Sequence, residues 1–218
     1  MRPITSVEPK VLGLLAPEAA VDLFRRLLWA EARRAGIGLA LVSVPGAINV
    51  ADGGVDAEIN EVPASSSGGL LFAGLTRYQI KTGAFSAGND SEMKDLFLKE
   101  KSKGLKDRIR TCFQRHGTFV VVLFGSDTPD RTDDELSIAC QQYIGRFEPA
   151  FKDCPIKVLH QNKIAAFLDQ HVALALEAQM KVFPHLRTHR EWGGEIESLG
   201  ALKAGPRQNA FIEQIRTE

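Results

Sequence analysis

The chain has 218 residues, a mass of 23.9 kDa, and equal numbers of basic and acidic residues, 27 of each. This length supports one sizeable core and leaves little room for two full domains. Its 44% hydrophobic and 25% charged residues are typical of a globular protein. The zero net charge argues neither for nor against nucleic-acid binding, and any basic surface must be local.

The N-terminal stretch "MRPITSVEPKV" has no apolar signal core, and no run approaches the ~18 apolar residues of a membrane helix. The cysteines at 112, 140 and 154 match no zinc-binding spacing, and their odd number favours reduced thiols. We therefore predict a cytoplasmic protein without a membrane segment.

The first predicted elements are a helix and two strands. Residues 16–38 predict a helix, with Pro17 in its first turn and Gly36 at its end. Glu31 falls on its apolar stripe, and a carboxylate on a buried helix face needs a partner. Residues 37–53 indicate a strand or an ordered loop. The segments "GVDAEINEV" and "LTRYQIKTG" alternate with period two, which predicts two strands joined by the loop "PASSSGG".

Helices and strands alternate in the rest of the chain. "SAGNDSEMKDLFLKEK" predicts a capped helix and "LKDRIRTCFQRHG" a second one, while "TFVVVLFG" is typical of a strand covered on both faces. A helix in "DTPDRTDDELSIACQQYIGRF", a short strand in "IKVLHQNK" and one long helix in "IAAFLDQHVALALEAQMKV" follow. This order predicts an α/β fold of three layers, with helices on both sides of a mixed sheet. We interpret residues 1–184 as one domain and residues 185–218 as a connector.

Polar residues on the first two strands indicate a metal site. Strands joined by one loop are expected to be antiparallel neighbours, which would put Asp56 beside Gln79 and Lys81. If the leading helix packs on the same face, Glu31 joins them. Carboxylate and amide oxygens suit Mg²⁺, and an ammonium group beside a phosphate stabilises developing negative charge. The pattern predicts phosphodiester hydrolysis, with Asp56, Gln79 and Glu31 as metal ligands and Lys81 at the phosphate.

"GGVD" followed by "QIK" on the next strand resembles the PD-(D/E)xK nuclease superfamily, and most nearly its Mrr-like type IV restriction endonucleases, whose second motif is often Q-x-K. The resemblance covers most of residues 18–180. It implies a restriction-endonuclease-like fold around a four-stranded mixed sheet, Mg²⁺ or Mn²⁺ as cofactor, and double-stranded DNA as substrate. Asp56 corresponds to the metal-binding aspartate, Gln79 to the (D/E) position, Lys81 to the lysine, and Glu31 to the acid of the leading helix.

The form "VADGGVDAEI" with "TRYQIKTG" is similar to nuclease domains at the N-terminus of bacterial antiviral NTPases. This resemblance implies a DNA-cleaving effector of antiviral defence that acts as a homo-oligomer, because cutting both strands usually takes two active sites. The terminal stretch "RQNAFIEQIRTE" looks like an unfinished helix. We therefore expect an NTPase or sensor domain to follow the connector.

Several alternatives stay open. Gln79 replaces a charged ligand, so Glu58 could be the second ligand, with Asp52 as a spare acid. The domain could also be a catalytically inactive nuclease-like module that binds nucleic acid or a partner, or could cleave RNA or branched DNA. In structural terms, Asp56 could be a strand-end residue, Gln79 and Lys81 the solvent face of an edge strand, and the helix glutamate a surface residue.

The segment "KEKSKGLKDRIRTCFQRH" is rich in basic residues. It would grip DNA phosphates if it borders the site, and would otherwise be a solvated helix face. His185 and His189 are four residues apart, but no third ligand follows them, so we interpret them as structural or surface residues.

Overall fold

The computed structural model describes residues 6–44, 55–83, 85–99, 104–125 and 132–183. The chain divides into two compact units, residues 1–182 and 183–218. The fold described below belongs to the first unit, and the predicted connector lies outside the described residues. The helices are α1 (Pro9–Leu12), α2 (Pro17–Arg34), α3 (Asp90–Phe97), α4 (Asp107–Gln114), α5 (Asp133–Phe147), α6 (Gln161–Leu168) and α7 (Val172–Val182). The strands are β1 (Val42–Ser43), β2 (Ala57–Val62), β3 (Gly74–Lys81), β4 (Thr118–Leu123) and β5 (Ile156–Leu159).

The five strands form one mixed sheet in the order β1-β2-β3-β4-β5. The β1–β2 and β2–β3 pairs are antiparallel, whereas β3–β4 and β4–β5 are parallel. The prediction of a mixed sheet is confirmed, but the predicted number of four strands is wrong. The additional strand is β1, whose two residues pair with Ile59 and Glu58 at the sheet edge. Two residues are too short to produce a period-two pattern in the sequence.

Helices cover both faces of the sheet, which confirms the three-layer α/β arrangement. We call one side the α2 face: α1, α2, α6 and α7 pack there, against a core that includes Tyr78 and Ile80 of β3. The other side is the α3 face, where α3, α4 and α5 pack against Leu75 of β3 and Val121 of β4. Every residue of β4 is buried, as expected for a strand covered on both faces.

The leading helix forms as the sequence predicts. Pro17 occupies its first turn, and Gly36 follows its end with φ of 72°. Its buried stripe includes Phe24, whose ring centroid lies 5.5 Å from that of Tyr78. Burial of each such side chain contributes about 1.5–3 kcal/mol, so the stripe fixes α2 on the α2 face.

The long helix predicted after β5 is two helices. A turn separates α6 from α7, and within it the Asp169 carboxylate accepts hydrogen bonds from the Val7 backbone N–H at 2.7 Å and the Ser6 hydroxyl at 3.0 Å. No glycine or proline marks residues 169–171. The turn thus contacts the N-terminal segment, more than 160 residues away, and local sequence patterns do not reveal such a contact.

Candidate functional site

The register of β2 and β3 brings Asp56 against the "QIK" motif. Ala57 pairs with Tyr78, and the Asp56 backbone N–H donates to the Tyr78 carbonyl oxygen at 2.8 Å. The Asp56 carboxylate accepts the backbone N–H of Ile80 through Oδ2 at 2.6 Å. Ile80 is the residue between Gln79 and Lys81. The structure thus places the Asp56 carboxylate beside the motif, as the sequence predicted for neighbouring antiparallel strands.

One detail of β2 differs from the period-two pattern. Val55 was expected to share a face with Ala57 and Ile59, but it belongs to the core on the α3 face, whereas the other two are buried on the α2 face. The chain bends at Asp56, directly before β2 begins. This bend takes Asp56 out of the regular strand, so that its side chain bonds to the backbone of β3.

Gln79 carries a buried oxygen that lacks a donor. Because Tyr78 and Ile80 point to the α2 face, strand alternation points Gln79 and Lys81 to the α3 face. Gln79 is only 9% exposed, and within the described part of the chain its Oε1 has no hydrogen-bond partner. A buried acceptor without a donor costs about 1–3 kcal/mol. A cation or a water molecule at this position would remove that cost.

Lys81, two residues further along the same face, is held by an acid from the next helix. Its Nζ donates to Asp95 Oδ2 at 2.8 Å. The hydrogen bond from Lys81, opposed by burial and helped by the charges of Lys81 and Lys106, holds the pKa of Asp95 below its usual value. A cleft of about 480 Å³ lies here, lined by Lys81, Phe85, Glu92 and Asp95 among others. Sequence analysis missed Asp95, because it lies off the apolar stripe of α3.

Glu31 lies on the other side of the sheet. Its carboxylate is 2% exposed, with Oε1 at 2.6 Å from His171 Nε2 and Oε2 at 2.7 Å from Arg34 Nη2. The expectation that a buried acid on α2 needs partners is confirmed. The expectation that α2 packs on the face of Gln79 and Lys81 is wrong, because its apolar stripe packs against Tyr78 and Ile80. The structure therefore does not bring Glu31 to the other three predicted site residues.

The loop between β2 and β3 also belongs to the α2 face. Gly69 has a positive φ of 60°, and a Cβ there would lie 3.0 Å from the Phe167 ring and 3.6 Å from Glu31 Oε2. The Tyr78 hydroxyl donates to the Leu70 carbonyl oxygen at 2.6 Å. The loop thus packs over Glu31, opposite the side chains of Gln79 and Lys81.

The alternative ligand Glu58 is engaged in ion pairs. It lies opposite Arg77 in the β2–β3 ladder, and its Oε2 pairs with Arg77 Nε and with Arg108 Nη2 at 3.3 Å. Burial alone would raise its pKa, but the hydrogen bond from Arg77 and the charges of both arginines hold the pKa below its usual value. Glu58 therefore balances two guanidinium groups in the structure. The spare acid Asp52 lies outside the described residues.

The basic segment begins beside the site. The Lys106 ammonium donates to the Asp95 backbone carbonyl at 2.7 Å, which places the start of α4 next to the Lys81–Asp95 pair. At the start of the segment, Lys99 pairs with Asp107 at 2.7 Å, and further along Arg110 pairs with Glu148. At Lys106 the segment thus contacts Asp95, which lines the cleft, while several of its charges are balanced within the chain. His185 and His189 lie outside the described residues.

A metal at this site would need mixed ligands. Among the described residues, no three His, Cys, Asp or Glu side chains are grouped so that they could hold a metal ion. Mg²⁺ accepts one or two protein oxygens and keeps several waters. The carboxylate of Asp56 and the unpartnered oxygen of Gln79 suit that requirement, whereas Glu31 does not join them.

Over the described ranges, no helix combines the length and apolar character needed to cross a membrane. Comparison of the chain with protein-family models, curated proteins and solved structures found no match.

Proposed function

We propose that the chain is a metal-dependent endonuclease domain of the PD-(D/E)xK type, with a restriction-endonuclease-like fold, that hydrolyses DNA phosphodiester bonds. One observation carries the proposal: the Asp56 carboxylate bonds to the backbone between Gln79, whose buried Oε1 lacks a donor within the described chain, and Lys81. A carboxylate, an amide oxygen and an amine then gather at one end of β3. Such groups can hold a divalent cation and stabilise the negative charge that develops as a phosphodiester is hydrolysed.

Each residue has a distinct role in the proposed reaction. Asp56 and Gln79 would hold Mg²⁺ or Mn²⁺, with waters in the remaining positions. The bound cation supplies a polarised phosphoryl oxygen and a more acidic water. Lys81 places its positive charge beside the phosphate, where it stabilises negative charge that develops as water attacks and a P–O bond breaks. Because Gln79 contributes no charge, Asp56 is the main anionic ligand in this scheme.

Double-stranded DNA is the proposed substrate, and the basic segment supports this choice. Lys106 of this segment contacts Asp95, the residue that holds Lys81. A cation bordering the cleft would bind the phosphate backbone on either side of the scissile bond. We further propose that the domain is an effector of antiviral defence, active as a homo-oligomer and covalently linked to an NTPase or sensor domain.

The test is cleavage of supercoiled plasmid in Mg²⁺ and in Mn²⁺, with EDTA as the metal-free control. Asp56→Asn keeps an oxygen for the Ile80 N–H but removes the charge, and Lys81→Ala removes the amine. Each is expected to lower the cleavage rate by about 100-fold or more. Lys94→Ala is the matched control, because Lys94 is an exposed lysine on α3 outside the site. Variants that nick DNA as fast as the wild type would refute the assignment.

A second function is favoured by a specific contact. Lys81 is paired with Asp95, and the Asp56 carboxylate is the one acid beside Gln79 in the proposed set of ligands. The same groups could therefore belong to a nuclease-like module that binds DNA without cutting it. Fluorescence anisotropy with labelled duplex, run beside the plasmid assay, distinguishes the two functions. Binding without cleavage in either cation identifies the binding module, and parallel RNA and branched DNA substrates test the other nucleic acids.

A further inference from the structure

The contact between Lys81 and Asp95 bears on how the proposed nuclease would be restrained. The Lys81 side chain is 26% exposed at the end of β3, and the Asp95 side chain is 74% exposed on α3. Their charged atoms lie 2.8 Å apart. The amine is therefore turned toward α3, while the Gln79 Oε1 on the same strand face keeps no donor within the described chain.

We propose that Asp95 is a positioning residue that holds the Lys81 amine on α3 until a DNA phosphate displaces it. This inference rests on the proposed function, since it concerns the amine assigned to the phosphate. A carboxylate beside that amine both occupies it and repels an incoming phosphate. Exchange of one anionic partner for another keeps the ammonium paired throughout, so the exchange does not expose an unbalanced charge.

The structure indicates which partner moves. The helix that carries Asp95 is anchored: Asn89 caps its N-terminus by accepting the Ser91 N–H, and Met93, Leu96 and Phe97 are buried in the α3-face core. Lys106 further holds the backbone carbonyl of Asp95. Lys81 instead has a long side chain with several rotatable bonds. The lysine therefore swings away from Asp95, and α3 stays in place.

The exposure of Asp95 determines how strongly its ion pair with Lys81 can oppose DNA binding. Exposed ion pairs shift equilibria by about 1.5- to 5-fold, because water screens both charges. Such a pair is strong enough to orient Lys81 in the free protein and weak enough for a phosphate beside a divalent cation to replace it. The cost of breaking the pair is incurred when DNA binds, so it appears in KM and not in kcat.

The experiment compares Asp95→Asn with Glu92→Gln in the full chain. Glu92 supplies the same charge in the same cleft, but its carboxylate bonds to the Ser86 N–H and the Asn89 amide and makes no described ion pair with Lys81. In the first arm, reductive methylation of lysines without DNA is followed by peptide mass spectrometry. Asp95→Asn is expected to speed modification of Lys81 by about 2- to 5-fold, and Glu92→Gln to leave it unchanged.

The second arm measures plasmid cleavage in Mg²⁺, in the wild-type and Lys81→Ala backgrounds. Asp95→Asn is expected to lower KM by about 2- to 5-fold with kcat unchanged, and to have no effect once Lys81 is alanine. Three outcomes would overturn the proposal that Asp95 restrains Lys81. They are a lower kcat in Asp95→Asn, a KM shift of the same size in Glu92→Gln, and a KM shift from Asp95→Asn that persists in the Lys81→Ala background. Wild-type protein that neither binds nor cuts DNA would overturn the proposed function instead, and the methylation arm would still decide whether Asp95 holds the amine.

Discussion

Replacing Glu31 tests the most consequential difference between the sequence pattern and the structure. Glu31→Ala removes a carboxylate that is 2% exposed and leaves His171 and Arg34 without their shared acceptor. Hydrogen bonds to charged groups contribute about 1.5–3 kcal/mol, and breaking a buried pair costs about 3–5 kcal/mol. Arg34 is 54% exposed and returns to water, so we expect a loss of about 2–4 kcal/mol. For a chain of this size that corresponds to a fall in Tm of roughly 5–15 °C.

The assay pairs urea unfolding with plasmid cleavage well below the Tm. Glu31→Ala is expected to lower the free energy of unfolding while Mg²⁺-dependent cleavage by the folded fraction stays near wild type. Glu18→Ala removes an exposed glutamate in the first turn of α2 and is the control: it should lower the free energy of unfolding by less than about 1 kcal/mol and leave cleavage unchanged. Glu31→Gln keeps the size and shape of the side chain, and it replaces Glu31→Ala in both assays if the alanine variant does not fold. Loss of cleavage in a variant of unchanged stability would mean that Glu31 belongs to the active site after all.

Three further substitutions test the surroundings of the site. Glu58→Gln removes a carboxylate whose pKa is lowered in the folded protein. Such a carboxylate stabilises the fold above its unfolded pKa, and this stabilisation is lost as the pH falls through its folded pKa. The difference in urea midpoint between the variant and the wild type should therefore shrink between about pH 7 and about pH 3. Gly125→Ala places a Cβ against the carbonyl oxygen of Thr82, the residue that follows Lys81. This substitution is expected to lower the free energy of unfolding by about 3 kcal/mol, measured in urea, and to slow cleavage. Gln79→Met removes the unpartnered oxygen at similar volume, so the metal-free chain should gain about 1 kcal/mol in urea unfolding, while the shift in Tm produced by Mg²⁺ disappears.

The elements that the sequence predicted well are those whose pattern is repeated many times within one segment. The stripe of α2 recurs over five turns, and β4 is a run of buried residues that are all apolar after Thr118. The alternation of β3 correctly assigned Gln79 and Lys81 to one face and Tyr78 to the other. Because a single loop makes β2 and β3 antiparallel neighbours, the contact between Asp56 and the "QIK" backbone follows from the register.

The parts that the sequence did not predict depend on packing between distant segments. A helix stripe tells which residues are buried, but not which face of the sheet buries them, so Glu31 was placed on the wrong side. The partner His171 lies 140 residues away, in the turn that divides α6 from α7. Asp95 lies off the apolar stripe of α3 and reads as a solvated residue until the position of α3 beside Lys81 is known.

The two faces of the sheet therefore keep the buried acid Glu31 apart from the side chains of Gln79 and Lys81 in the proposed site. On the α2 face, the buried Glu31 carboxylate contacts Arg34 Nη2 and His171 Nε2, on the opposite side of the sheet from the side chains of Gln79 and Lys81. On the α3 face, Gln79 keeps an oxygen that an apolar side chain would remove at no cost to the fold, and Lys81 is held by an exposed acid that a stronger anion can replace. A stabilising role accounts for the first arrangement but not for the second. A buried oxygen without a described donor, two residues from an exposed ion pair, calls for an explanation beyond packing, and this is why the proposed nuclease chemistry is placed on the α3 face.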